Sequence, residues 1–171
     1  MSGLLIRQAT PDDAPAVQAI YAHHVLHGTG TFEEVPPDID EMSQRMAAVA
    51  TQGLPWLVAA VDDRIAGYAY ASQFRPRSSY RFTVEDSVYI SPDVMGRGIG
   101  TALLQSLIAT CTQLDKRELL AVIGDSDNQA SIRLHSNCGF QNVGTLKNVG
   151  LKFGRWLDVV MLQLPLNTSV R

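Results

Sequence analysis

The sequence has little that would mark a membrane, secreted or nucleic-acid-binding protein. No uninterrupted apolar run approaches the length that spans a bilayer. Positive charge is short, with 14 Lys and Arg against 17 Asp and Glu and a net charge of -3. That balance disfavours a nucleic-acid partner, which usually needs a basic face, and a cationic patch for a membrane surface. The opening Met1-Ser2-Gly3-Leu4 lacks the charged and apolar regions of a signal peptide, so a cytoplasmic location is expected. Cysteine is scarce as well. Cys111 and Cys138 sit in apolar-patterned segments and read as small buried hydrophobes, with a disulfide or a catalytic thiol as the alternative. His23 and His27 have the i, i+4 spacing of metal ligands, but no cysteine or carboxylate partner is evident near them. Together with His24 they read as surface histidines, and no metal is expected. Nothing resembles a Ser-His-Asp or Cys-His nucleophile set.

What is present is the composition of a globular protein: 46% hydrophobic and 18% charged over 171 residues. Without repeats, linkers or low-complexity tracts, residues 1–171 read as one domain. A short strand is expected over Leu4–Arg7. Thr10-Pro11-Asp12-Asp13 reads as a helix start, with Asp13 closing a capping box, before the helical stripe Val17, Ile20, Tyr21 and Val25. A second helix begins at Asp38, carries Ile39, Met42, Met46 and Val49, and ends at Gly53 and Pro55. Trp56–Val61 and Ile65–Ala71 form a hairpin about Asp62-Asp63-Arg64. A polar loop over Ser72–Arg81 precedes a strand over Phe82–Ile90. A glycine-rich loop over Asp93–Gly100 then leads into a helix striped by Leu103, Leu104, Leu107, Ile108, Cys111 and Leu114. A strand over Leu119–Ile123, a helix from Asn128 to Gly139, and strands over Phe140–Leu146 and Arg155–Leu164 complete the chain. The order βααβββαβαββ predicts a mixed α/β or α+β sheet, not a doubly wound parallel one.

The loop Gly96-Arg97-Gly98-Ile99-Gly100-Thr101 lies between a strand and an amphipathic helix. Its glycines let consecutive N–H groups aim at one point, and the helix start adds partial positive charge. That suits a diphosphate, with a guanidinium from Arg97 and a hydroxyl from Thr101. A plain flexible turn is the alternative. A P-loop is excluded, because no lysine followed by Ser or Thr comes after the second glycine. A dinucleotide fold would place such a loop after its first strand, and here it comes late.

Val88-Tyr89-Ile90-Ser91-Pro92, then Gly96 to Thr101, then a leucine-rich helix, resembles the cofactor-binding core of the GNAT acetyltransferase superfamily. Asn128, Ser131, Leu134 and Gly139-Phe140 follow at a suitable distance. The resemblance covers essentially the whole chain. It implies the GNAT fold: a mixed, mostly antiparallel twisted sheet of about seven strands with about four helices, strands four and five splayed around the cofactor. It also implies acetyl-CoA as co-substrate. By position, Val88, Tyr89 and Ile90 would pair with the pantetheine arm, and Gly96, Arg97, Gly98, Ile99, Gly100 and Thr101 would hold the pyrophosphate. Asn128 and Asn137 would contact the cofactor from the neighbouring side. Met95 stands where the family usually has Gln or Arg, which removes one side-chain contact and leaves the main-chain cradle intact.

Within the superfamily the chain resembles the phosphinothricin and methionine-sulfoximine N-acetyltransferases. The resemblance lies in Thr31-Phe32-Glu33-Glu34, Pro55 to Ala59, Thr83 to Ser91 and the tail Gly150 to Val159. It implies acetylation of the α-amine of a small amino-acid-like compound, and a homodimer. An ammonium must lose a proton before it attacks a thioester, and Glu85 is the position of the proposed general base. A solvated edge-of-strand glutamate is the alternative. Arg75 and Arg77, around Pro76, are suited to an acceptor carboxylate, or they are surface arginines. Asp86, Ser87, Phe32 and Glu33 join them as candidate acceptor-site residues. His135 stands where many relatives carry a tyrosine proposed to protonate the leaving thiolate; it offers an imidazole there, or serves packing or cofactor contact. Two other functions remain open: acetylation of a different amine, such as a protein N-terminus or polyamine, or acetyl-CoA binding without catalysis. The arginine pair disfavours a polyamine, and Glu85 disfavours a passive binder.

Overall fold

The computed structural model describes residues 3–166; Met1 and Ser2 of the opening motif lie outside them. The elements are β1 (Leu4–Gln8), α1 (Ala14–His27), α2 (Ile39–Thr51), β2 (Trp56–Val61), β3 (Arg64–Gln73) and β4 (Thr83–Ile90). They continue with α3 (Ile99–Gln113), β5 (Glu118–Gly124), α4 (Gln129–Asn137), β6 (Gln141–Lys152) and β7 (Arg155–Pro165). One sheet holds all seven strands in the order β1-β2-β3-β4-β5-β7-β6. Every neighbouring pair is antiparallel except β4–β5. The mixed, mostly antiparallel sheet is the one expected.

Local chemistry explains the boundaries. Asp38 caps α2 by accepting the Glu41 N–H at 2.8 Å. Before α1, one 3-10 turn carries Asp13, whose carboxylate takes the Thr10 N–H at 2.7 Å and the Arg7 guanidinium at 2.7 and 2.8 Å. The Arg7 hydrogen bond chiefly holds that carboxyl down at about 2. Asp62 and Asp63 both adopt positive φ, as a two-residue hairpin turn requires. Ile39, expected on the buried stripe of α2, is 46% exposed; Met42, Met46 and Val49 carry the burial.

The two faces of the sheet differ in bulk. Across β2, β3 and β4, Trp56, Tyr68, Tyr70 and Tyr89 share one face, where Tyr89 meets Tyr21 of α1 edge-on at 5.1 Å. The other face carries Ala59, Gly67, Ala69 and Ala71. Those small residues let α3 approach closely, and Leu103, Leu104, Leu107 and Cys111 are fully buried on it. Truncating one of these leucines to alanine costs about 2–5 kcal/mol.

Strand β6 is longer than the expected Phe140–Leu146, running to Lys152. Its register slips between Leu146 and Gly150. The slip accommodates Asn148, at positive φ, and Asp158 of β7 gathers the Lys147 ammonium at 2.8 Å and the Asn148 N–H at 3.0 Å. A bulge breaks the two-residue alternation by which a strand is read from sequence. β6 is a sheet edge, and Val143, Leu146, Val149, Leu151 and Phe153 on or beside it are each more than half exposed, as is Trp156 of β7. Among the described residues, no helix is long and apolar enough to cross a membrane.

Candidate active site

The parallel pairing of β4 with β5 runs only from Thr83–Glu118 to Asp86–Ala121. Beyond it, β4 stays paired with β3 as far as Ile90–Gly67, and β5 stays paired with β7 as far as Gly124–Val159. The two strands therefore part after Asp86, and a cleft of about 720 Å³ opens between them. The Ser91 N–H donates to Ala66 O on β3. By strand alternation, Val88 and Ile90 turn their backbone groups to the opposite side, into the cleft. The Ile90 carbonyl is met there by His24 Nε2 at 2.8 Å. Apart from that carbonyl, the strand edge has no strand partner here among the described residues and lines a cavity, able to pair with an extended amide-bearing ligand.

The edge leads into the glycine loop. Gly96 and Gly98 adopt φ of +75° and +77°, and α3 begins at Ile99. At Gly96 an added Cβ would meet nothing within 4 Å, so conformation and not space calls for glycine there. The first N–H groups of α3 have no partner within the helix, so loop and helix start together form an anion cradle. Gly96, Gly98, Ile99, Gly100 and Thr101 line the cleft, together with Val88, Tyr89, Ile90, Asn128 and Asn137. Of the residues expected to hold a cofactor, Arg97 alone is outside that lining; it is exposed on the loop. Asn128 caps α4 through the Ser131 N–H at 3.3 Å.

Asp86 and His135 form a buried pair on the cleft side of β4. His135 Nδ1 faces the Ser131 carbonyl at 2.8 Å, which only accepts, so this nitrogen carries a proton. Nε2 faces Asp86 Oδ2 at 2.7 Å. Burial lowers the His135 pKa, but the Asp86 hydrogen bond and charge and the Ser131 carbonyl outweigh it and leave it raised. Both ring nitrogens are engaged. The second Asp86 oxygen is buried without a hydrogen-bond partner among the described residues.

The candidate acceptor residues are distributed differently. Glu85 lies on the opposite face of β4 from Asp86, beside Ser72 and one alternation from Ser87, which pairs with Tyr70. Burial foremost, then the Asp86 charge, raises the Glu85 pKa, while Arg75 acts against the rise. Arg75 is thus close enough to be felt at Glu85, and its guanidinium lies 5.0 Å from the Phe74 ring centre. Arg75, Pro76 and Arg77 are exposed on the loop before β4. Ser87 lines the cleft; Glu85 and the arginines do not. Phe32 packs against Gly124 and Gly150, whose missing side chains make room for its ring. The Glu33 carboxylate is already taken by Arg45 at 2.7 Å and Tyr21 at 2.9 Å. The structure therefore gathers Glu85, Arg75 and Ser87 about one side of β4, turns Asp86 away from them, and ties Glu33 to Arg45 and Tyr21.

Several cleft residues carried no signal in the sequence. The segment Gly28–Gly30 forms one wall, tied down by Thr29 Oγ1 to Asp125 at 2.7 Å and by the Lys152 ammonium to Gly28 O at 2.8 Å and Thr31 O at 2.7 Å. Lys152 is 1% exposed and is held by carbonyls alone among its hydrogen-bond partners. His24, a surface histidine by its place beside His23 and His27, instead turns its ring to the Ile90 carbonyl of β4. Among the described residues there is no group of His, Cys, Asp and Glu able to hold a metal ion. Cys111 and Cys138 are both free thiols.

Residues 6–161 match the family model described as an acetyltransferase (GNAT) domain. The chain is 57% identical to a phosphinothricin N-acetyltransferase of Alcaligenes faecalis over 96% of this chain and 83% of that protein. It is 40% identical to an L-methionine sulfoximine/L-methionine sulfone acetyltransferase of Pseudomonas paraeruginosa over 96% and 95% of the respective lengths. Among solved structures, a GNAT superfamily phosphinothricin acetyltransferase from Sinorhizobium meliloti, in complex with acetyl-CoA, superposes with a TM-score of 0.94. That protein is 43% identical, and the match covers 98% of this chain and 92% of that one.

Proposed function

The chain belongs to the GNAT acetyltransferase family, and on that premise we propose that it moves the acetyl group of acetyl-CoA onto the α-amine of a small amino-acid-like acceptor of the phosphinothricin or methionine sulfoximine type. The observation that carries the donor half is the parting of β4 from β5. It leaves the Val88 C=O and the Ile90 N–H free to pair with a pantetheine arm, the Ile90 carbonyl being held by His24, and that edge runs straight into the cradle from Gly96 to Thr101, suited to a pyrophosphate. Asn128 and Asn137 complete the lining from α4.

Acetyl-CoA supplies an activated carbonyl with a tolerable leaving group. The residues of this chain supply the rest. Glu85, partly desolvated, takes the proton that the acceptor's ammonium must lose, directly or through water. The nitrogen lone pair then forms the new C–N bond as the C–S bond breaks, the sulfur leaves with the electron pair, and the second proton shed by the nitrogen converts the departing thiolate to the free thiol. The Val88 N–H, facing the cleft, is the donor placed for charge developing on the thioester oxygen. Arg75, with Arg77 on the same loop, offers a guanidinium to the acceptor's carboxylate, and this favours an amino acid over a polyamine.

A second copy of the chain is the proposed partner. The exposed apolar side chains along β6 and its turn, ending at Phe153 and Trp156, form the patch it would cover. Light scattering on the purified protein should then read a dimer.

The reading is tested by mixing purified protein and acetyl-CoA with methionine sulfoximine, phosphinothricin and a panel of amino acids and polyamines, and following free thiol. Thiol release with the amino-acid analogues is the expected result. Release only with polyamines, or with no acceptor at all, overturns the proposal.

A further inference from the structure

Helix α4 presents Ala130, Arg133, Leu134 and Asn137 to the cleft, the i, i+3, i+4, i+7 stripe of one helix face. Leu134 sits innermost: a Cβ on Gly100, at the start of α3, would lie 3.4 Å from its side chain. Arg133 and Asn137 are exposed and form the outer rim of the same face. Charge along the cleft is uneven. Asp86, Asp125 and Asp127 line it, and among the described residues Arg133 is the one permanent cation of that lining. Asp125 and Asp127 lie 3.9 Å from Arg155, and Asp86 has His135. Arg133 makes no hydrogen bond or ion pair among the described residues. A guanidinium left without a carboxylate, on the wall of an anion-binding cleft, is disposed toward a ligand phosphate.

Coenzyme A carries a third phosphate besides its pyrophosphate, on the 3′ position of its ribose. The N–H groups of the glycine loop and the α3 N-terminus, with Arg97 exposed beside them, suit the pyrophosphate, and the third phosphate calls for a cation of its own. Resting on the acetyl-CoA reading above, we propose that Arg133 binds the ribose 3′-phosphate of coenzyme A, making α4 the element that distinguishes coenzyme A from its 3′-dephospho form. Arg133 holds the two phosphate oxygens of one edge with paired N–H groups, a geometry that a lysine reproduces only as a point charge.

The test is direct binding, without turnover. The dissociation constants of coenzyme A and 3′-dephospho-coenzyme A are measured by calorimetry at one fixed ionic strength, for the protein as it stands and for Arg133→Ala and Arg133→Lys. The unaltered protein should prefer coenzyme A. Arg133→Ala should weaken coenzyme A about tenfold and 3′-dephospho-coenzyme A by less than about twofold, with Arg133→Lys in between. Equal weakening of both ligands assigns Arg133 to the pyrophosphate or to the fold and overturns the proposal, as does no weakening of either. If the unaltered protein binds neither ligand, the acetyl-CoA reading itself falls. If it binds both equally, only the Arg133 assignment falls.

Discussion

Strand β4 carries two working faces, and they are built from different materials. Toward the cleft it offers backbone: the N–H groups of Val88 and Ile90 and the Val88 C=O, continued by loop glycines and the start of α3. Toward the proposed acceptor side it offers side chains brought from separate segments: Glu85 from the strand and Arg75 from the loop before it. Phe32 and Glu33 come from the connection between α1 and α2, the one wedged between two glycines and the other bound by Arg45. A backbone site tolerates sequence change as long as the glycines keep their φ. A side-chain site changes its acceptor with one substitution. A cofactor common to a family and an acceptor particular to a subgroup map naturally onto such a division.

The comparison breaks hardest at Glu85. Glu85→Gln keeps shape and removes the base, so kcat should fall by roughly 10²–10³-fold while the dissociation constant of coenzyme A stays put. A matched loss of cofactor affinity would place Glu85 on the donor side. Next comes Lys152→Met, which strips the Gly28 and Thr31 carbonyls of their donor and loosens the segment Gly28–Thr31. Stability should drop by about 3 kcal/mol, read as a Tm lower by roughly 5–10 °C. A Tm within a degree or so of the starting protein would show that the segment holds without it. The smallest effect is expected at Arg75→Ala. The acceptor KM should rise about tenfold with the acetyl-CoA KM unchanged, because one charge-assisted contact is lost on one side only. A rise in the acetyl-CoA KM alone would move Arg75 across the strand.

The same division decided what could be read from sequence. The cleft side was legible because its parts are contiguous: a strand, a glycine loop and a leucine-striped helix lie within residues 83–113. Main-chain geometry needs no distant partner. The acceptor side was legible only in outline. Asp86 looks like a companion of Glu85 by adjacency, but consecutive strand residues point to opposite faces, and it pairs with His135 forty-nine positions later. Glu33 looks free until α2 folds over and supplies Arg45. Lys152 reaches carbonyls 121 and 124 positions away, and no local pattern announces such a contact. The far half of β6 has no legible strand pattern, because its bulge breaks the alternation that marks a strand.

The most direct test of the division is the pH dependence of kcat, for the protein as it stands and for Glu85→Gln. Burial holds the Glu85 pKa above the ordinary carboxylate value of 4.5. A base works only when deprotonated, so kcat should fall as pH drops through that raised value. This acid limb should disappear in Glu85→Gln, leaving a low rate that no longer follows a carboxylate titration. An acid limb unchanged in position and height in the variant would contradict it.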